Sequence, residues 1–79
     1  MSKKLEVLGF EITVDDEEIL RYTKNMKDKG ETHITFYHEY KLYVITLTPY
    51  KKNTSNGVPA NIHEAITEQL KELGWLNNE

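Results

Sequence analysis

The sequence predicts an α+β fold: a four-stranded antiparallel β-meander followed by one C-terminal α-helix packed on one face. Three observations predict it. Between residues 10 and 48, segments of period-2 alternation are separated by short polar turns. Residues 61–76 instead carry an apolar stripe at helical spacing. The 79-residue length suits one small globular domain, residues 1–79, in which such a helix completes the core.

Residues 5–14 open the fold as a strand. Phe10, Ile12 and Val14 alternate with Glu11 and Thr13, whereas Leu5, Val7 and Leu8 fall out of that phase. The change of phase predicts a bend or bulge at Gly9. Asp15, Asp16, Glu17 and Glu18 follow as an acidic turn or helix start.

Residues 19–26 admit two readings. As a helix they would place Ile19, Thr23 and Met26 inward, behind an acidic N-terminus, and the domain would be β-α-β-β-α. As a strand they alternate Leu20, Tyr22 and Met26 against Arg21, Thr23 and Asn25. The strand is preferred, because the helical stripe is thin and Tyr and Thr suit a pleated surface. Asp28-Lys29-Gly30 also suits a three-residue hairpin loop with Gly30 left-handed. That loop pairs Lys27 with Glu31, Lys24 with Ile34 and Tyr22 with Phe36. Leu20, Tyr22, Ile34 and Phe36 then share a face, which a one-residue slip would destroy.

Residues 32–38 and 41–48 are rich in β-branched and aromatic side chains and read as two further strands. Joined through Glu39 and Tyr40, they pair Phe36 with Tyr43 and Ile34 with Ile45. One face is expected to carry Ile34, Phe36, Tyr43, Ile45 and Leu47 toward the helix. The other carries His33, Thr35, Tyr37, Leu42, Val44 and Thr46. Pro49 ends the last strand, and residues 50–60 form a polar loop.

The helix turns Ile62, Ala65, Ile66, Gln69, Leu70 and Leu73 inward and Glu64, Glu68, Lys71 and Glu72 outward. Asn61 and Glu64 have the spacing of a capping box, and Gly74-Trp75 that of a Schellman stop. Ile62, Ile66, Leu70 and Leu73 are expected to contribute ~1.5–3 kcal/mol each on burial.

The formal net charge of −3 conceals segregation. Residues 1–20 carry two Lys against six acids, residues 21–52 seven Lys or Arg against three, and residues 53–79 one Lys against four. The basic middle belongs to a solvated, internally balanced surface or to a patch for an anionic partner. No apolar run approaches a membrane span, and the first residues lack the apolar core of a signal peptide, so a cytoplasmic location is expected. The chain has no cysteine, which excludes disulfides and thiolate zinc sites.

Residues with chemical potential do not converge. His33 and His38 point to opposite faces of one strand, and His63 lies on the helix. The acidic turn lacks the glycine and spacing of a calcium loop. Ser2 and Ser55 have no base beside them. The expectation is a protein that is not an enzyme and has no cofactor or metal. Tyr37, Leu42 and Val44, on the sheet face away from the helix, are the candidate surface for a protein partner or a weak homodimer. Tyr40 and Tyr50, with Lys51 and Lys52, extend it. The alternative is a nucleic-acid-binding accessory protein using segment 21–52, since aromatics beside lysines can stack and neutralise single strands. A pI near 5.6 and a single arginine weigh against it.

The order of motifs carries a resemblance. Leu8-Gly9-Phe10, the acidic turn 15–18, Ile19-Leu20-Arg21-Tyr22, Ile34-Thr35-Phe36, the segment 62–66 and Glu72-Leu73-Gly74-Trp75 follow one another along the chain. This resembles small uncharacterised proteins encoded in phages, prophages and mobile elements of Gram-positive bacteria. The resemblance implies an accessory role without an assigned activity and carries over no functional residues. The loop 53–60 is longer than that pattern.

Overall fold

The structure, a computed structural model, describes residues 3–27, 30–48 and 59–76. They belong to two compact units, one drawn from residues 1–9 and 55–79 and one from residues 10–54. The first contains helices α1 (Lys3–Val7) and α2 (Ala60–Glu72), the second strands β1 (Glu11–Asp15), β2 (Ile19–Asn25), β3 (Glu31–Tyr37) and β4 (Leu42–Thr48).

The strands form one antiparallel sheet in the order β1-β2-β3-β4, the expected meander, and the C-terminal helix follows it. Residues 19–25 are strand, so the β-α-β-β-α alternative falls. β2 and β3 form the centre. Leu20 lies opposite Phe36 and Tyr22 opposite Ile34, and all four are buried. Each such side chain contributes ~1.5–3 kcal/mol on leaving water. The Tyr22 and Phe36 rings meet edge to face, with centroids 6.2 Å apart and an interplanar angle of 80°.

The β2–β3 register corrects the expected one by two residues. Tyr22 faces Ile34 rather than Phe36, and Lys24 faces Thr32 rather than Ile34. The hairpin closes one residue earlier than its glycine implied, with Met26 N–H donating to the Gly30 carbonyl at 2.7 Å. Asn25 Oδ1 accepts from Lys27 N–H at 2.7 Å, and Lys27 takes a positive φ of 60°. This local hydrogen bond draws Lys27 into the turn, where the sequence placed it in the strand. Gly30 does adopt the left-handed region, at φ 91°. Because the shift is even, every side chain keeps its face. The β3–β4 register agrees with the sequence: Ile34 faces Ile45 and Phe36 faces Tyr43.

The start of the chain differs from expectation. Residues 3–7 form the helix α1 where a strand was read, and Gly9, at φ 98°, hands the chain over to β1. Leu5 and Leu8, three apart, follow helical rather than strand spacing, and Leu5 is fully buried while Val7 is 85% exposed. Five residues cannot hold a helix by propensity. Lys4 Nζ donates to Glu64 Oε1 at 2.9 Å, tying α1 to α2. The bulge lies not at Gly9 but at Thr13, between Ile12, which faces Tyr22, and Val14, which faces Arg21. Val14 therefore leaves the face of Ile12. Thr13 Oγ1 lies 2.9 Å from Thr23 Oγ1, a side-chain bond across the bulge.

α2 buries Ala65, Ile66 and Gln69 and half-buries Ile62, Leu70 and Leu73, while Glu64, Glu68, Lys71 and Glu72 stay exposed. The stripe is as read, and its fully buried positions are Ala65, Ile66 and Gln69. Its start is corrected: Pro59 occupies the N-cap without a side-chain cap, and Glu64 is engaged by Lys4 instead of closing a capping box. Its stop is as read. Trp75 N–H donates to the Leu70 carbonyl and Gly74 N–H to that of Lys71, both at 3.0 Å, with Gly74 at φ 76°. This is the paired bonding of a Schellman motif.

Ile66→Ala should lower stability by ~2–5 kcal/mol in denaturant unfolding, as for large-to-small core changes. Glu68→Ala, on the exposed side, should move the melting temperature far less. A Cβ at Gly74 meets nothing within 4 Å. Gly74→Ala should therefore cost only the left-handed backbone penalty, roughly 1–2 kcal/mol.

Candidate interaction surface

The β2–β3–β4 registers put Arg21, Thr23, His33, Thr35, Tyr37, Leu42, Val44 and Thr46 on one face of the sheet. Tyr37 lies directly opposite Leu42, and Thr35 opposite Val44, so three of the expected surface residues are neighbours. Tyr40, in the connection between β3 and β4, is 68% exposed. Tyr50, Lys51 and Lys52 lie outside the described residues.

This face is not uniformly open. Thr35, expected in water, is only 2% exposed, and its Oγ1 accepts from Arg21 Nε at 3.0 Å. The bond satisfies a buried hydroxyl and holds the arginine along the sheet. Beside it, Thr23 Oγ1 lies 2.9 Å from Thr13 Oγ1 and 3.0 Å from His33 Nδ1, and His33 Nε2 lies 3.7 Å from Glu31 Oε1. The bonded polar row crosses β1, β2 and β3. It went unread in the sequence because the two-residue register error paired Thr23 with Thr35 instead of His33.

Exposure rises at β4, and on both of its faces. Leu42 and Val44 are 44% and 43% exposed, while Tyr43 and Leu47, expected in the core, are 37% and 39% exposed. Tyr43 still touches the centre, its ring centroid 5.9 Å from that of Phe36. The missed signal is the position of β4 at the end of the meander, where, among the described strands, only β3 pairs with it.

The basic segment does not assemble into a patch among the described residues. Arg21 is bonded to Thr35 on one face, while Lys24 lies on the other with its Nζ 5.8 Å from the Phe10 ring centroid. Lys27 and Lys41 stand at opposite ends of β3, in the two turns that flank it. Among the described residues no three His, Cys, Asp or Glu side chains are grouped as a metal site would need, and no helix is long and apolar enough to cross a membrane. The acidic segment forms the β1–β2 turn. Asp16 N–H donates to the Ile19 carbonyl, and Asp16 Oδ1 accepts from Ile19 N–H at 2.9 Å and Glu18 N–H at 2.8 Å.

No protein-family model matches the chain, and no curated protein or solved structure matches it significantly.

The hydrogen bonds from Ile19 and then Glu18 lower the Asp16 carboxyl below the ordinary aspartate range. A lowered folded-state value contributes stability present above the unfolded value and lost as pH falls through the folded one. Thermal melts should therefore drop on acidification below about pH 4. Asp16→Asn, which keeps an acceptor oxygen but cannot titrate, should flatten part of that drop while leaving the fold intact by circular dichroism.

Proposed function

We propose that this protein is a non-enzymatic accessory factor that acts by protein–protein interaction through the side of the sheet formed by β4 and the end of β3. One observation carries the reading: an uncharged strand at the sheet's end exposes Leu42, Tyr43, Val44 and Leu47 across both faces. Side chains of this kind, with Tyr37 and Tyr40 beside them, supply the apolar and aromatic anchors of a contact. The limited area and the neighbouring threonines suit a reversible contact rather than an obligate core. The resemblance to small phage and mobile-element proteins fits an accessory role in the cytoplasm. Nucleic-acid binding is the second reading, and the scatter of Arg21, Lys24, Lys27 and Lys41 disfavours it.

Wild type and Val44→Lys, used as paired baits, test the reading. A partner should be retained by wild type and lost, or weakened about tenfold or more, by Val44→Lys, with unchanged circular dichroism. Equal retention would move the contact elsewhere. Retention on a nucleic-acid column that falls steeply with salt would favour the second reading.

A further inference from the structure

The two ends of the sheet are built differently. β1 is short, is bulged at Thr13, and carries Glu11 and Asp15 at its termini. These are devices by which edge strands avoid pairing with other chains. β4 has none of them. Its seven residues, Leu-Tyr-Val-Ile-Thr-Leu-Thr, contain no charge, proline or glycine, and it runs against β3 without a register shift. In an antiparallel ladder every second residue turns its N–H and C=O away from its partner strand. No other described strand pairs with β4 on that side.

We propose that the outer edge of β4 pairs antiparallel with β4 of a second copy of this chain, joining two sheets into one. This rests on the same surface as the reading above and names its occupant. The strand complements itself. Pairing about Ile45 sets Ile45 opposite Ile45, Val44 opposite Thr46, Tyr43 opposite Leu47 and Leu42 opposite Thr48. Every pair joins β-branched, aromatic or aliphatic side chains, and none opposes like charges. The register also keeps faces together: Tyr43, Ile45 and Leu47 of both copies fall on one side, and Leu42, Val44 and Thr46 on the other. The exposed apolar groups of both faces thus gain neighbours in one step. A charged peptide would find no complement along this strand, whereas the two-fold arrangement satisfies both copies identically. An edge contact of this length lies at the low end of interface size, below ~1,200 Å², the class of weak and transient encounters.

Charge reversal across the interface tests it. Val44→Lys with Thr46→Lys, and Val44→Glu with Thr46→Glu, each set like charges opposite one another in this register. Wild type should sediment as a concentration-dependent dimer. Each double variant should dimerise about tenfold or more less tightly, and an equimolar mixture of the two should recover the dimer. Glu11→Lys, on β1 at the opposite end of the sheet, should leave dimerisation intact. On wild type itself, hydrogen exchange of β4 amides should slow as concentration rises while β1 amides stay unchanged, a readout that stands even if a variant fails to fold. A wild type monomeric at every concentration, a mixture that stays monomeric, β4 exchange independent of concentration, or a dimer abolished by Glu11→Lys would each overturn the proposal. A monomer that still captures another protein through Val44 would overturn self-pairing alone. A dimer that captures nothing would leave self-pairing standing and remove the partner reading.

Discussion

The pairing of β2 with β3 is the interaction on which the rest of the sheet depends. Leu20 against Phe36 and Tyr22 against Ile34 bring four buried side chains onto one face, and the edge-to-face rings of Tyr22 and Phe36 interlock them. Once that face is set, strand alternation sends Arg21, Thr23, His33 and Thr35 to the other. The bond from Arg21 to buried Thr35, and the row from Thr13 through Thr23 to His33, are consequences of it. A one-residue slip would expose the core residues and bury a guanidinium and an imidazole, so the hydrophobic and polar requirements reinforce one another.

Burial declines outward from this centre, and the decline is unequal at the two ends. β1 protects itself with charge, brevity and a bulge, whereas β4 leaves aliphatic and aromatic groups half in water. The chemistry available there is backbone pairing and apolar contact.

The helical unit owes its order to other forces. The Schellman bonds of Trp75 and Gly74 end α2 within the backbone itself. The Lys4–Glu64 pair joins α1 to it across exposed surface, raising the lysine above its ordinary range and lowering the glutamate below its own. An exposed pair of this kind is screened by salt, so α1 is held more by buried Leu5 than by charge.

The sequence by itself determined the properties that depend on near neighbours. Alternation favoured a strand over a helix for residues 19–26 and put Leu20, Tyr22, Ile34 and Phe36 on one face. Gly30 and Gly74 marked left-handed positions that few other residues occupy cheaply. The 3.6-residue spacing from Ile62 to Leu73 drew the helix. Only the tertiary structure decided the two-residue offset of the β2–β3 hairpin, the helical turn at Lys3–Val7, the bulge at Thr13, the burial of Thr35 and the exposure of Tyr43 and Leu47. The reason is physical. A side-chain period is fixed by the geometry of one segment. A register, a bulge or a depth of burial depends on which distant residues arrive alongside, and at the end of a sheet half of those neighbours are missing.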